Sequence, residues 1–234
     1  MAVPLKLSVV LAAHNEAESI EAVLTSLAEV VDAAEVIVVD DGSSDLTADL
    51  AERAGATVLR CTPNRGKGAA MREGIAASRG EWLIFLDADG QDDPHDIPRL
   101  LAEAGDEVGL VNGSRFLGTL LPGSIHPLNR VANQALTALL SLLFGRRITD
   151  SQAGFRLIRG DLARSMALRS DEYEFETEVL AKALCSELAV VEVPVTRHPR
   201  SGGRTDFRRI HNGLRILRTM LRERAMASLS STRS

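Results

Sequence analysis

The sequence predicts an α/β protein with an open, mostly parallel β-sheet flanked by helices. In the first half of the chain, short apolar runs that suit buried strands alternate with segments of helical periodicity, and short loops join them. A polar or charged cluster follows the apolar runs where the predicted strands end. Because the carboxyl ends of parallel strands meet at one edge, and ligands bind at that edge, the clusters predict a single polar site.

The elements of the first half follow from the spacing of apolar residues. Residues 7–12 predict a first strand that is buried on both faces. Apolar residues then recur at helical spacing, at Ile20, Val23, Leu24, Leu27 and Val31. The same alternation predicts strands at residues 36–39, 56–60, 82–86 and 108–111. It also predicts helices from about residue 45, up to residue 78, and near residues 95–104.

The second half is less regular. Residues 129–144 predict a helix that is apolar on most sides, and a polar loop at 150–156 follows it. A helix near 174–186 and a strand at 189–193 come next. An arginine-rich segment begins at Arg197, and a last amphipathic helix places Ile210, Leu214, Leu217 and Leu221 at steps of three and four residues.

Composition limits the classes of function. The 234 residues are 45% hydrophobic, which is enough for one folded core. A net charge of −5 and an aromatic content of 3% argue against a nucleic-acid-binding surface. Cys61 and Cys185 lie far apart without metal-ligand spacing, which favours a reducing, cytoplasmic compartment. The longest apolar run is shorter than the ~20 residues of a spanning helix, so we expect no membrane span and no signal peptide.

One acidic segment requires a positive partner. In FLDADGQDDP, residues 85–94, four carboxylates follow a buried strand, and like charges at this spacing raise one another's pKa. A solvated helix N-terminus would explain Asp92, Asp93 and Asp96, because acids are favoured there. It does not explain Asp87 and Asp89, which come where the strand ends.

Three functional hypotheses address Asp87 and Asp89. An EF-hand calcium loop would need Gly at its sixth position and Glu at its twelfth, where this chain has Asp92 and Pro98. A phosphatase of the haloacid dehalogenase type would need the motif after the first strand, and here it follows the fourth. The third is a Mg²⁺ or Mn²⁺ site for a nucleotide diphosphate, because these ions prefer carboxylate and phosphate oxygens. Asp87 and Asp89 would point the same way on an extended segment, with Gln91 as a further oxygen ligand.

Several motifs together resemble those of family 2 glycosyltransferases, which have the GT-A (Rossmann-like) fold. They are HNE at 14–16, VVDDGSSD at 38–45, NRGKG at 64–68 and DADGQ at 87–91. The chain is also similar to the dolichol-phosphate mannose synthases and related polyprenyl-phosphate glycosyltransferases, through GSRF at 113–116, GFR at 154–156, YEFE at 173–176 and HPR at 198–200. The resemblance implies a GT-A domain over 1–208, with a nucleotide-sugar half at about 5–112 and an acceptor half at 113–208. A C-terminal amphipathic helix and tail would follow at 209–234.

The resemblance implies a site for a GDP- or UDP-hexose donor. The acid that ends the second strand, Asp40 with Asp41 beside it, would hold the base and ribose, although an Asp-Gly turn favours the same residue types. Lys67 would offset phosphate charge in a glycine-rich segment that resembles a phosphate cradle; a plain turn into a helix is the alternative. Other residues expected at the donor and its metal are Ala13, Glu16, Asp87 and Ala88, with Asp89 as first metal ligand and Gln91 next.

The resemblance also implies an acceptor site. Arg115, Arg130 and Arg200 match positions that hold the acceptor phosphate, and the arginine fork suits phosphate oxygens. Together with Asp89 they are the expected catalytic residues. Gln134 lies one helical turn from Arg130 and would face the same side. Arg204 and Arg208 are expected on a mobile lid. For the arginine-rich run, a surface facing solvent or anionic lipid is the alternative interpretation.

These roles predict an inverting, metal-dependent transfer of mannose or glucose to a polyprenyl phosphate, from GDP-mannose or UDP-glucose. A lipid acceptor implies a peripheral protein at the cytoplasmic face of a membrane, with a possible membrane-anchoring partner subunit. The alternative enzyme of the same fold would glycosylate a soluble hydroxyl acceptor, with Asp150 or Glu176 as base; Glu176 could instead orient an arginine. A nucleotidyltransferase would need a glycine-rich loop after residues 11–13. A non-catalytic sugar-nucleotide-binding protein is the remaining hypothesis.

Overall fold

A computed structural model describes residues 6–32, 34–200 and 209–231 of the chain. Seven strands form one sheet: β1 Leu7–Ala13, β2 Glu35–Asp41, β3 Thr57–Cys61, β4 Trp82–Asp87, β5 Val108–Leu120, β6 Arg156–Arg159 and β7 Ala189–Arg197. The helices are α1 Ile20–Val30, α2 Thr47–Arg53, α3 Lys67–Ala77, α4 Ile97–Ala102, α5 Pro127–Phe144, α6 Gly160–Ser165, α7 Phe175–Leu184 and α8 Arg209–Ser231. A short 3₁₀ turn, Pro94–Asp96, precedes α4.

The strand order explains where a ligand site can form. The sheet runs β3-β2-β1-β4-β6-β5-β7, and every neighbouring pair is parallel except the two that involve β6. The chain passes outward from β1 to β2 and β3, then crosses back to place β4 on the other side of β1. In such sheets the ligand site lies at the carboxyl ends of the strands where the order reverses. The predicted fold class is therefore confirmed.

The core lies on both faces of the central strands. Val9, Val10 and Leu11 of β1 are fully buried, because α1 covers one face and α3 the other. Helix α3 lies unusually near the sheet: a Cβ on Gly74 would stand 2.3 Å from a methyl carbon of Val10. This close packing fixes the start of α3 relative to the ends of β1 and β2.

Three strands differ clearly from their predictions, and one of them is β7, which was predicted over 189–193 and continues to Arg197. β6 occupies Arg156–Arg159, where we expected the end of a loop, because the strand is short and its first residue is an arginine that is only 1% exposed. β5 was predicted over residues 108–111 but continues to Leu120. Its second part contains Gly, Ser and Arg, and it is held as a strand by pairing with β7 rather than by its own apolar pattern.

The helices of the second half form the outer layer beside β5 and β6. Helix α5 was predicted at 129–144 and is present from Pro127 to Phe144, with its C-terminus at Gly145 in the left-handed conformation. Helix α8 packs against α5 and α7. Within the described ranges, no helix combines the length and the apolar character that crossing a membrane requires.

Candidate active site at the carboxyl edge of the sheet

Charged side chains from six parts of the chain meet at the carboxyl edge, as the sequence predicts. Asp40 and Asp41 end β2, and Asp87 ends β4. Asp89 and Glu16 lie in the loops that follow β4 and β1. The predicted residues that the structure brings together here are Glu16, Asp40, Asp41, Lys67, Asp87, Asp89, Gln91, Arg115 and Arg200. Their contacts decide what each can do.

Asp87 is held by a buried lysine. The Lys67 ammonium donates to Asp87 Oδ1 at 2.6 Å and lies 2.5 Å from Glu176 Oε1. Burial alone would raise the pKa of the Asp87 carboxyl, but the charges of Lys67 and Arg197 outweigh it and lower that pKa to about 2. Lys67 thus pairs with two carboxylates of its own protein, and its predicted contact with donor phosphate stays a prediction.

A second buried cation, Arg197, was not among the predicted site residues. Its guanidinium donates to Asp92 at 2.5 Å and to Gln91 Oε1 at 2.9 Å. It also lies 3.8 Å from carboxylate oxygens of both Asp87 and Asp89. The expectation that Asp92 is solvated is wrong, because β7 ends at Arg197 and places this guanidinium inside the acidic cluster. The sequence signal was the arginine run that starts at this residue.

Arg200 connects the loops after β1 and β4. Its guanidinium donates to Glu16 Oε1 and, at 3.3 Å, to Asp89 Oδ2. Burial raises the pKa of the Glu16 carboxyl even though the Arg200 charge opposes that shift. The predicted acceptor-phosphate ligand is therefore paired with two predicted donor-site acids in the structure. Arg204 and Arg208, the two arginines expected on a lid, lie outside the described residues.

The two acids at the end of β2 have different environments. Asp41 accepts hydrogen bonds from the backbone N–H groups of Arg65, at 2.8 Å, and Gly66, at 2.7 Å. It therefore anchors the loop before α3. Asp40 accepts a longer bond, 3.3 Å, from Ser43 N within its turn. Asp41 thus shapes the loop before α3, and the predicted contact of Asp40 with the base and ribose of a donor stays a prediction.

The glycine-rich segment has a structural partner. Gly68 N and Ala69 N both donate to the backbone oxygen of Asp171, at 2.8 and 3.2 Å. A Cβ on Gly68 would stand 2.4 Å from Ser170 O, and one on Gly66 would stand 2.3 Å from Asp171 O. The glycines are thus explained by the close approach of the backbone of residues 170–171, and a phosphate at this segment stays a prediction.

Arg115 is positioned by a buried carboxylate. Its Nε and Nη2 donate to the two carboxylate oxygens of Asp150 at 2.7 and 2.8 Å, a bidentate geometry. Asp150 is fully buried, which by itself would raise its pKa, but the charge of Arg115 and its hydrogen bonds lower it. Asp150 and the 6% exposed Glu176 are thus both committed to buried cations. Both carboxylate oxygens of Asp150 accept hydrogen bonds from Arg115, whereas Glu176 pairs with Lys67 through Oε1 and its buried Oε2 accepts no hydrogen bond. The pairing and burial of both groups disfavour them as the base for a hydroxyl acceptor.

Two residues predicted to bind the acceptor lie away from the acidic cluster. The side chains of Arg130 and Gln134 are exposed on α5. The segment that leads into α5 does touch the site, because Gln91 Nε2 donates to Ser124 O at 3.2 Å and Leu121 N donates to Arg197 O at 3.1 Å. The structure does not bring Arg130 and Gln134 into contact with the acidic cluster, and their role stays a prediction. Ala13 and Ala88 are buried beside the cluster.

The expected metal ligands fit a divalent cation in charge and chemistry, though not as a complete set of protein ligands. Asp89 is not on an extended segment as expected: β4 ends at Asp87, and Asp89 lies in a turn before Gly90. Among the described residues, no three His, Cys, Asp or Glu side chains form a metal-binding group. Five carboxylates meet three cations here and leave two negative charges, counting Glu16, Asp87, Asp89, Asp92 and Glu176 against Lys67, Arg197 and Arg200. Mg²⁺ typically takes one or two carboxylates and completes its shell with phosphate and water oxygens.

This fold, with its charged cluster where the strand order reverses, defines an α/β protein with a candidate ligand site at the carboxyl edge of the sheet. Residues 8–166 match the model of the family described as Glycosyl transferase family 2. The chain belongs to that family.

Named relatives are similar over most of this chain. The low-salt glycan biosynthesis hexosyltransferase Agl6 of Haloferax volcanii is 34% identical over 92% of the chain, which spans 53% of that protein. The undecaprenyl-phosphate mannosyltransferase of Micrococcus luteus is 32% identical, over 78% of the chain and 79% of that protein. The chain thus spans about half the length of the first relative and most of the second.

Solved structures share the fold. The glucosyl-3-phosphoglycerate synthase of Mycobacterium tuberculosis, in complex with Mn²⁺, UDP and glucosyl-3-phosphoglycerate, superimposes with a TM-score of 0.78 at 25% identity. The match covers 95% of this chain and 81% of that one. The similarity supports the GT-A fold that the motifs imply.

Proposed function

We propose that this chain transfers a hexose from a nucleotide sugar to a polyprenyl phosphate. The observation that supports this most is the meeting of Asp87 and Asp89 with Arg115 and Arg200 at one edge of the sheet. The acids suit a metal-bound diphosphate and the arginines suit an anionic acceptor. The names of the relatives from Micrococcus luteus and Haloferax volcanii agree with this assignment, the latter including a dolichyl-phosphate hexose transferase.

The donor would occupy the pocket at the ends of β1, β2 and β4. Asp40 would accept hydrogen bonds from ribose or base, with Ala13, Glu16 and Ala88 along the wall. Asp89, with Asp87 and the Gln91 carbonyl, would hold Mg²⁺ or Mn²⁺, and the ion would supply charge neutralisation to the departing diphosphate. The presence of UDP with Mn²⁺ in the mycobacterial structure supports a divalent ion in this kind of site.

The acceptor phosphate would attack the anomeric carbon directly in a single inverting displacement. One P–O⁻ oxygen forms the new bond to carbon as the bond from carbon to the nucleoside diphosphate breaks, and the diphosphate takes the bonding electrons. A phosphate monoester is largely dianionic at neutral pH, so no protein base is required. The burial of Asp150 and Glu176 in ion pairs supports a reaction of this type. Arg200 would bind the phosphate oxygens, and Arg115 would do so from its position on Asp150.

The rate should follow the ionisation of the acceptor. We expect kcat/KM for the lipid phosphate to rise with pH through a midpoint near ~6 and then level off, because the dianion is the nucleophile. Asp87, with its pKa of about 2, stays ionised throughout this range and does not shape the profile. A pH–rate profile measures this. A phosphonate acceptor, whose second pKa is higher, should move the midpoint upward; an unmoved midpoint would assign the ionisation to the protein.

Removal of Arg200 should affect the acceptor more than the donor. We expect Arg200→Ala to raise KM for the lipid phosphate by about 10- to 100-fold, the loss of a charged hydrogen bond of roughly 1.5–3 kcal/mol. UDP or GDP binding, measured by calorimetry, should change little. Arg53→Ala removes an exposed arginine at the end of α2 and serves as control. Equal losses of donor and acceptor affinity in Arg200→Ala would refute the assignment.

A phosphorylated soluble acceptor is the second candidate. The similar mycobacterial enzyme is named for a phosphoglycerate product, and its acceptor also bears a phosphate that arginines could bind. That reaction joins the sugar to a hydroxyl group, for which a base is needed. The paired state of Asp150 and Glu176 argues against this candidate.

The test is incubation of the purified chain with a panel of GDP- and UDP-hexoses and either Mg²⁺ or Mn²⁺. One set receives a polyprenyl phosphate and the other receives 3-phosphoglycerate. We expect a lipid-linked hexose in the first set, metal-dependent and specific for one donor. Product only in the second set would establish the soluble-acceptor reaction. A lipid acceptor would place the protein at the cytoplasmic face of a membrane, with or without a membrane-anchoring partner subunit.

A further inference from the structure

Helix α5 carries an apolar stripe that faces away from the core. Leu128, Val131 and Leu142 are 64%, 66% and 80% exposed. The exposed alanines at 135 and 138 continue the stripe, so its members recur at steps of three and four residues along one face. The buried residues of the helix, Thr137 and Leu140, lie on the opposite side. The stripe extends over about 20 Å of helix.

This arrangement differs from that of an ordinary surface helix, because α5 is apolar on both its inward and its outward side. A helix on a globular domain turns its apolar side to the core and its polar side to water. In α5 the inward side packs Leu136, Leu139, Leu140 and Leu143 against the core, and the outward face is lined by Leu, Val and Ala as well. Contiguous exposed apolar patches mark surfaces that bind another molecule or a membrane.

The charge around the stripe indicates which kind of partner it fits. Between Glu107 and Asp150 the sequence contains no acidic residue and four arginines, although the chain as a whole has a net charge of −5. Three of these arginines, Arg130, Arg146 and Arg147, are exposed at the two ends of α5. An apolar face with basic ends is complementary to anionic lipid, which attracts basic residues near its surface. A second copy of this chain would instead place like charges opposite each other, which is unfavourable.

The position of α5 links this surface to the candidate active site. The segment before α5 contacts Gln91 and Arg197 through Ser124 O and Leu121 N. The helix therefore begins beside the acidic cluster and leads away from it. On the proposed function, a lipid acceptor would keep its chain in the bilayer while its phosphate reaches Arg200. A membrane lying along α5 would bring the two together.

We propose that the outward stripe of α5, Leu128, Val131, Ala135, Ala138 and Leu142, lies in the interface of an anionic bilayer. The arginines at its ends contact lipid headgroups. The helix lies parallel to the surface with its apolar face among the upper acyl carbons, as interfacial helices do. The role of this surface in presenting the acceptor depends on the proposed function, but its binding to lipid can be measured without any substrate.

The experiment is sedimentation of the full chain with vesicles of equal parts phosphatidylcholine and phosphatidylglycerol, and with vesicles of phosphatidylcholine alone. We expect binding to the anionic vesicles that weakens with salt. The double substitution Leu128→Gln and Leu142→Gln should weaken it on the order of 100-fold, from about tenfold for each leucine that no longer enters the apolar layer. Gln retains helix propensity, so α5 should persist, which circular dichroism checks.

The matched control is Leu46→Gln, since Leu46 is 60% exposed but lies before α2 on the opposite side of the sheet. It should bind vesicles like the unsubstituted chain. Binding of the double variant at full strength, or no binding by the unsubstituted chain, would overturn the proposal. A dimer that the double substitution dissociates, seen by light scattering, would assign the stripe to a second copy instead.

Activity separates this inference from the proposed function. With a short-chain, water-soluble prenyl phosphate, the double variant should match the unsubstituted chain, and it should lose activity only with polyprenyl phosphate in vesicles. Vesicle binding without transfer to either acceptor would refute the proposed function and leave the lipid-binding surface standing. Transfer to both acceptors with no vesicle binding would refute the lipid-binding surface and leave the proposed function standing.

Discussion

Asp89→Ala is expected to lower turnover with a nucleotide sugar by at least about a thousandfold, which corresponds to about 4 kcal/mol of barrier. The carboxylate lies in the turn after β4, within 3.3 Å of Arg200 and 3.8 Å of Arg197. Its loss would remove the first expected ligand for Mg²⁺ or Mn²⁺ and leave the departing diphosphate less neutralised. Turnover is measured by nucleoside diphosphate release at saturating donor.

A binding measurement distinguishes loss of the ion from loss of the fold. Mn²⁺ binding, followed by electron paramagnetic resonance in the presence of UDP or GDP, should weaken at least about tenfold in Asp89→Ala. Asp106→Ala removes an exposed carboxylate at the opposite edge of the sheet and should leave both values unchanged. Asp89→Ala with near-normal Mn²⁺ affinity and turnover would remove the basis of the metal assignment.

Gly68→Ala is expected to destabilise the protein by roughly 2–3 kcal/mol, the size of an overpacking defect. The direction of this change in stability is informative, because replacing a helical Gly by Ala ordinarily stabilises a protein by about 1 kcal/mol. Here the new Cβ would stand 2.4 Å from Ser170 O and would disturb the bond from Gly68 N to Asp171 O. Urea denaturation of the ligand-free chain measures the free energy of unfolding.

The matched control is Gly213→Ala in α8. Gly213 is also helical, and a Cβ there would meet nothing within 4 Å. That substitution should leave stability unchanged or raise it by up to about 1 kcal/mol. If Gly68→Ala were equally harmless without ligand yet impaired donor binding, the glycine would serve a phosphate after all, and the packing explanation would be wrong.

Much of the fold could be predicted because burial and alternation both act locally. β1, β2 and β4 are apolar runs with helices between them, and their first and last residues were predicted to within two residues. β6 could not be predicted in this way. It begins with Arg156, whose guanidinium is buried and donates to Asn112 Oδ1 at 2.8 Å, and burial lowers its pKa to about 10. A strand that depends on such a distant partner has no local apolar signature.

In the candidate site, too, some features follow from local sequence and others depend on distant partners. The acids at the strand ends were predicted, since their position follows from the strand order alone. Their partners were harder to predict: Lys67 pairs with Asp87 and Glu176, and Arg197 comes from the far end of the chain to pair with Asp92. The family prediction is confirmed by the match over residues 8–166, while the individual donor and acceptor roles remain predictions.

The pairing of Arg200 with Glu16 and Asp89 has a thermodynamic consequence. One guanidinium cannot fully satisfy these two carboxylates and a phosphate together, so an incoming acceptor must compete with the acids for it. Any ligand that draws Asp89 away from Arg200 should tighten acceptor binding. By linkage the acceptor must then tighten that ligand by the same factor. The two halves of the reaction would thus be coupled through a single side chain, and the size of the coupling can be read from paired titrations in either order.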